Sequence, residues 1–297
     1  MESIVMDPIK NILIPVELSP ISTPNLMLAK KFAQKTHATL HILSVVDPAG
    51  IHAVSHLYDE EKLRRELVNN TKYDLDRLIQ YVGLGSPNLD VSISVGVPFI
   101  EILYRSLEVS ADLIIMGSQR ETGFFRRFLL GNTAYKIIRR VPCTTLSVKA
   151  RSETEIPIHI PFKKILVAFD FSEHAIKALD FGLFFHSIFP SELHVVHIQP
   201  HTDINESEQE EENVPLVMRL SAMLDEESWK AISSITSEVA ENAAVGILKK
   251  ARDLGVDLIA IGSHSKKSMI QNMFLGKIAY DVVRHAECSV LTVKLPD

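Results

Sequence analysis

Two cysteines in 297 residues cannot build a disulfide framework, so the fold must rest on an ordinary hydrophobic core. No apolar run reaches the roughly 18 residues that a membrane-spanning helix needs. The opening MESIVMDPIKN lacks a basic segment followed by an apolar one, so no secretory signal is expected and the chain reads as cytoplasmic. Basic residues do not exceed acidic ones. At a net charge of −6, generic attachment to nucleic acid or to an anionic membrane is disfavoured. Catalytic signatures are missing as well. There is no G-x4-G-K-[S/T] phosphate loop, no nucleophile elbow and no carboxylate pair with a defined partner, and the twelve histidines show no metal-ligand spacing. The expectation is a protein without enzymatic activity and without a metal site.

What the chain has is one unit written twice. The segment from Asp112 to Lys149, DLIIMGSQRETGFFRRFLLGNTAYKIIRRVPCTTLSVK, aligns without gaps on Asp257 to Lys294, DLIAIGSHSKKSMIQNMFLGKIAYDVVRHAECSVLTVK. Fourteen of 38 positions are identical, far too many for chance. Cys143 and Cys288 fall on the same repeat position; buried small hydrophobes are the simplest reading of both. The starts match too, KNILIPVELSP from Lys10 and KKILVAFDFSE from Lys163, so the second copy is eight residues shorter in its middle. The boundaries expected are 1–150 and 163–297, with a polar, proline-broken linker at 151–162.

Each copy alternates strand and helix patterns. Ile12 to Val16 is continuously apolar, as in a strand buried on both faces. Ser19 is placed to cap a helix carrying Leu26, Ala29, Phe32 and Ala33 on one face. TLHILSVV, DVSISV, DLIIMG and CTTLSV follow as strands. YDEEKLRRELVNNTKYDLDRLIQYV, FIEILYRSLEV and AYKIIRRV are the intervening helices. In the last of these, Ala134, Ile137, Ile138 and Val141 keep the i, i+3, i+4, i+7 rule, which Ala279, Val282, Val283 and Ala286 repeat. The third strand of copy two, near SITSEVA, is weaker, and the acidic QPHTDINESEQEEENVP reads as a solvated loop. Five strands alternating with four helices argue for an α/β protein of two doubly wound, parallel, Rossmann-like sheets in tandem. Such sheets bind ligands beyond the carboxyl ends of the strands, where strand order reverses.

Several pieces, taken in order across nearly the whole chain and twice over, resemble the universal stress protein family. They are ILIPVELS and ILVAFDFS, DLIIMGS and DLIAIGS, FLLGN and MFLGK, and PCTTLSVK and ECSVLTVK. The resemblance implies a tandem protein whose halves form an internal pseudo-dimer, with further homodimerisation open. It also implies an adenine nucleotide, ATP or a relative, as the expected small-molecule ligand, and an unnamed protein as a regulatory partner. The nucleotide-binding branch of that family carries G-x-x-G-x9-G-[S/T] between the fourth strand and fourth helix, and an Asp after the first strand. Glycines there let the backbone approach phosphates, and the final pair presents donors at a helix start.

Carried onto this chain, the motif is incomplete in both copies. Copy one has Gly117, but Arg120 replaces the second Gly, the spacer is ten residues, and Gly131 is followed by Asn132. Its strand-one acid is Glu17. Copy two has Gly262, Ser265, another ten-residue spacer, then Gly276 and Lys277, with Asp170 intact. The candidate nucleotide contacts implied are therefore Glu17, Val45, Met116, Gly117, Gln119, Arg120, Gly131, Asn132 and Thr133 in copy one. In copy two they are Asp170, Ile198, Gly262, His264, Gly276 and Lys277. Each also has a plain reading. The glycines suit tight turns, and Asn132 suits a helix N-cap. Lys277 has no acceptor with which to cap, and a solvated lysine explains it. Asp170 serves equally as a carboxylate near a helix start. Arg120, Arg126 and Arg127 suit a solvated loop, and Phe124, Phe125 and Phe128 suit a loop folded back on its domain. Two functional readings stay open: a protein acting by interaction with a degraded, weak cleft, and a working nucleotide switch, with slow ATP hydrolysis as a variant of the second.

Overall fold

A computed structural model describes residues 9–49, 59–85, 88–117, 132–149, 162–200, 215–264 and 275–295. The chain divides into two compact units, one built on each sequence copy.

In the N-terminal unit the strands are β1 (Asn11–Pro15), β2 (Thr39–Val46), β3 (Leu89–Val95), β4 (Leu113–Gly117) and β5 (Thr144–Val148). They alternate with helices α1 (Ser22–Thr36), α2 (Glu60–Val82), α3 (Pro98–Glu108) and α4 (Asn132–Arg140). The spatial order is β3-β2-β1-β4-β5, and the registered pairs are parallel. Strand order thus reverses between β1 and β4. The continuous apolar runs land where both faces are covered: Ile12, Leu13, Ile14, Leu113, Ile114 and Ile115 are fully buried. Each such side chain contributes about 1.5–3 kcal/mol relative to exposure. Ala134, Ile137, Ile138 and Val141 are buried as the helical spacing requires.

Local chemistry explains where the helices begin and end. Asp59 Oδ1 accepts from the N–H groups of Glu61 at 3.0 Å and Lys62 at 3.2 Å, capping α2. Gly83, at φ 65°, closes it in the left-handed conformation. Pro98 opens α3 at a position where its missing N–H costs nothing. The expected Ser19 cap is not found. Helix α1 starts after Ile21 with no side-chain cap, and the Ser19 N–H instead donates to Ser22 Oγ at 3.2 Å. The Ser22 N–H donates to the Ser19 carbonyl at 2.9 Å, so the backbone of Ser19 rather than its hydroxyl meets the start of α1, just after Leu18 with its left-handed φ of 55°.

The C-terminal unit repeats the plan with β6 (Lys164–Ala168), β7 (Glu192–Pro200), β8 (Ile232–Ala240), β9 (Leu258–Gly262) and β10 (Ser289–Val293). Their order is β8-β7-β6-β9-β10, again parallel, with the reversal between β6 and β9. The helices are α5 (Glu173–Ile188), α8 (Ala243–Leu254) and α9 (Lys277–His285). Between β7 and β8, where the first copy has the 23-residue α2, stand two short helices, α6 (Leu216–Ser221) and α7 (Glu226–Ala231). The strand that the sequence signals only weakly is β8, nine residues long and half-exposed along most of its length. It ends the sheet of its unit, so only one edge of it meets a partner strand of that unit, and strong apolar patterning is not required. Linker residues 151–161, the acidic segment at 201–214 and the loop with Phe124, Phe125, Phe128, Arg126 and Arg127 lie outside the described residues, while Phe162, counted with the linker, is buried.

Candidate functional site

The crevice of the C-terminal unit is built first by the turn that leaves β6. Phe171 takes a left-handed φ of 63°, a costly conformation for a bulky residue. Its ring is held by neighbours. Phe169 lies 4.9 Å away edge-on, His197 lies 5.7 Å away, and the Arg219 guanidinium of α6 sits 3.5 Å above the ring centre. The His197 Nδ1–H donates to the Phe169 carbonyl at 2.7 Å, tying β7 to the same turn.

That turn directs Asp170 inward along its own chain. Asp170 Oδ1 accepts from the Ser172 N–H at 3.1 Å and from the Ser172 hydroxyl at 2.6 Å. Ser172 Oγ in turn accepts from the Ala175 N–H at 3.1 Å and caps α5. The strand-one acid is therefore half of a capping relay. In the N-terminal unit the equivalent Glu17 is exposed just beyond β1, next to Leu18 with its similar backbone.

The second wall is the end of β9. A Cβ on Gly262 would lie 2.7 Å from His174 Cβ and 3.0 Å from the His174 carbonyl carbon, so the residue must be glycine for α5 to approach. His174 thereby sits directly over the end of β9. His264, 9% exposed, lies beside it with ring centroids 5.2 Å apart at 55°. Ser263 Oγ lies 2.9 Å from His264 Nδ1 and fixes that ring. Burial holds His174 below the ordinary histidine pKa, and the neighbouring His264 adds to this; Glu173 and Asp170 act the other way, and Lys294 lowers it further.

The third wall is the entry to α9. The Gly276 N–H donates to the Ser263 carbonyl at 2.7 Å, and a Cβ there would stand 2.9 Å from that oxygen. The backbone donor expected to face a phosphate is bonded within the chain. Lys277 is exposed at the first position of α9, which has no side-chain cap. Ile198 is buried on β7 and packs on Gly246 of α8, where a Cβ would come within 2.8 Å of it.

In the N-terminal unit, Met116 is buried and Gly117 half-buried at the end of β4; Val45 is half-buried on β2. A Cβ on Gly117 would meet Ile21 Cγ2 at 2.8 Å and Asn25 Nδ2 at 3.6 Å, so α1 closes on β4 as α5 closes on β9. Asn132 is the first residue of α4 and Thr133 is half-buried in it. Gln119, Arg120 and Gly131 lie outside the described residues. The structure thus gathers Asp170, Gly262, His264 and Gly276 around one crevice. To them it adds His174, Ser172, Ser263 and Lys294, which motif matching did not reach. Only Ser172 and His174 carry a signal in sequence, the DFSEH run after a strand; the others need the topology.

Among the described residues no helix is long and apolar enough to cross a membrane, and no group of three or more His, Cys, Asp or Glu could hold a metal ion.

Two five-strand parallel arrays, each with a reversal of strand order, define a tandem Rossmann-like α/β protein. The universal stress protein family model matches residues 8–149 and again 161–294. The chain belongs to the universal stress protein family, in its tandem form. It is 23% identical over 304 residues to a universal stress protein of Synechocystis sp., covering 96% of this chain and 100% of the relative. A universal stress protein of Methanocaldococcus jannaschii is 30% identical over 162 residues, matching 46% of this chain and 96% of the relative. A solved universal stress protein from Archaeoglobus fulgidus superposes over 96% of this chain and 98% of its own, with a TM-score of 0.67 at 21% identity, a likeness of fold.

Proposed function

We propose that this protein acts by binding rather than by catalysis, and that its C-terminal crevice holds adenine nucleotides only weakly. The observation that carries this reading is the closure of the crevice's own polar groups on one another. Asp170 Oδ1 is engaged by both Ser172 donors, and the Gly276 N–H is engaged by the Ser263 carbonyl. A nucleotide must break or share these bonds, and each hydrogen bond lost without replacement in a buried site costs about 1–3 kcal/mol. The missing middle glycine removes a further close approach, since Ser265 and Arg120 stand where the motif has Gly. The hydroxyl–imidazole pair of the crevice, Ser263 Oγ and His264 Nδ1 at 2.9 Å, is buried, with Ser263 0% exposed, so this hydroxyl is not presented to a substrate as a nucleophile, which supports a regulatory rather than an enzymatic role.

Isothermal titration with ATP, ADP and AMP at pH 7.5, with and without magnesium, tests the reading. The expected dissociation constants are weaker than about 100 μM, corresponding to less than about 5.5 kcal/mol of binding. A micromolar or tighter constant for any of the three overturns the weak-cleft reading and favours a working nucleotide switch.

A further inference from the structure

Arg219 enters no step of the reading above. Its half-buried guanidinium makes no ion pair and no hydrogen bond to any described residue; it lies on the face of Phe171, 3.5 Å from the ring centre. The platform beneath it is built. Phe169 and His197 hold the Phe171 ring edge-on, and His197 is itself tied to the Phe169 carbonyl. The left-handed φ of 63° that presents this ring is costly for a bulky side chain. Copy one makes the same turn with Leu18, which offers no ring, and has the long α2 where α6 stands. Aromatic platform and cation thus occur together in the copy that keeps Asp170 after its first strand.

We propose that Arg219 is the anion anchor of the C-terminal crevice: from its stack on Phe171, on the β6–β7 side, it takes an oxyanion group, phosphate or carboxylate, of a small ligand. A guanidinium stacked through its face keeps its N–H donors in the plane of the fork, where a second group can reach them. Stacking also fixes that plane, so less rotamer freedom remains to be lost on binding. A planar fork of donors matches the paired oxygens of a phosphate or a carboxylate. The acid next to the platform does not take these donors, since Asp170 Oδ1 accepts from both Ser172 groups. The inference goes beyond the weak-cleft reading, because it needs neither the glycine loop nor the Gly276 N–H. It puts charge recognition where β6 and β7 end, whereas the glycine motif would put it between β9 and α9.

The test follows the Arg219 Nε–Hε signal by NMR, and affinity by isothermal titration, at pH 7.5 and constant ionic strength, with inorganic phosphate, ATP and citrate as probes. The signal should move saturably with phosphate and ATP, with citrate, or with all of them, and the probe that moves it assigns the group as phosphate or carboxylate. Arg219→Gln should weaken that probe at least about tenfold, the loss of one hydrogen bond between charged groups. Arg219→Lys keeps the charge but not the fork, and should fall between the two. Phe171→Leu introduces the residue that copy one carries at the same turn, so the protein should stay folded while the probe weakens. A wild-type signal indifferent to every probe, or equal affinity in the wild type and Arg219→Gln, overturns the proposal. So does a signal that moves when Glu208→Gln, Glu210→Gln, Glu211→Gln and Glu212→Gln are made together and not with any probe, which would give the guanidinium to an acidic segment of the chain itself. Failure of either kind leaves the weak-cleft reading in place, since that reading stands on Asp170 and Gly276.

Discussion

The Asp112 carboxylate locks the start of β1 through Asn11. Asp112 Oδ2 accepts from the Asn11 N–H at 2.8 Å and from the Lys10 N–H at 2.7 Å, while the Asp112 N–H donates back to the Asn11 carbonyl at 2.9 Å. Asp257 makes the same clasp in the second copy. It accepts from Lys163 at 2.8 Å and Lys164 at 2.9 Å, and its own N–H donates to the Lys164 carbonyl at 2.8 Å. An ionised side chain here satisfies two backbone donors that the parallel ladder leaves open at the foot of β1 and β6.

The clasp sets the first prediction. Asp112→Ala and Asp257→Ala should each lower unfolding stability by about 1.5–3 kcal/mol, the range for hydrogen bonds to a charged group. The urea midpoint should fall without a change in slope. Asp→Asn at either position should cost less, because the amide oxygen still accepts. Two alanine variants indistinguishable from wild type would remove the clasp from the account of stability.

The two strand-end glycines give the second prediction, and they should differ. At Gly262 an added methyl meets the His174 backbone, with its carbonyl carbon at 3.0 Å and the Ala175 nitrogen at 3.2 Å, besides His174 Cβ at 2.7 Å. At Gly117 the nearest atoms belong to the side chains of Ile21, which is half-buried, and Asn25, and none to the backbone. Gly262→Ala should therefore destabilise by about 1–3 kcal/mol, as overpacking does, and Gly117→Ala by less than about 1 kcal/mol. Thermal unfolding of both variants checks the order; the reverse order would mean that α5 shifts off β9 more readily than Ile21 changes rotamer.

Much of this architecture is legible in the sequence because burial on both faces writes itself as unbroken apolar runs. Ile12 to Ile14 and Leu113 to Ile115 are examples, and the repeat supplies each run a second time. The exact alignment of Asp112 with Asp257 and of Gly117 with Gly262 survives for the same reason: strand ends and their clasps are set by geometry common to both copies. What escapes a sequence reading depends on side chains meeting across elements distant in the chain. Ser19 has the right composition for a cap, yet its N–H donates to Ser22 Oγ and α1 starts without a side-chain cap. His174 and His264 are 90 positions apart, and only the β6–β9 pairing brings α5 over the end of β9. The short helices α6 and α7 stand in place of a long one, and no motif marks Arg219 as the residue that would lie over Phe171.

A third prediction concerns acid sensitivity and rests on His194, away from the crevice. This residue is 7% exposed on β7, with Nδ1 2.7 Å from Ser234 Oγ and Nε2 3.4 Å from a Glu192 carboxylate oxygen. Burial lowers its pKa below 6.5, with Lys164 and Lys250 adding to the effect, and Glu192 opposes them without restoring it. The sign follows from which state takes the proton first. As pH falls through about 6.5 the unfolded chain protonates His194 while the folded protein still holds it neutral, so unfolding gains. The stabilising contribution is thus complete above the unfolded value and is lost as pH falls through the folded one. His194→Gln removes this titration while keeping a polar side chain for Ser234. Its unfolding free energy should decline less steeply than that of the wild type between pH 7.5 and 5, measured by urea titration at each pH. Parallel curves for the two proteins would show that His194 does not contribute to the acid sensitivity, and a steeper decline in the variant would invert the sign argued from its burial.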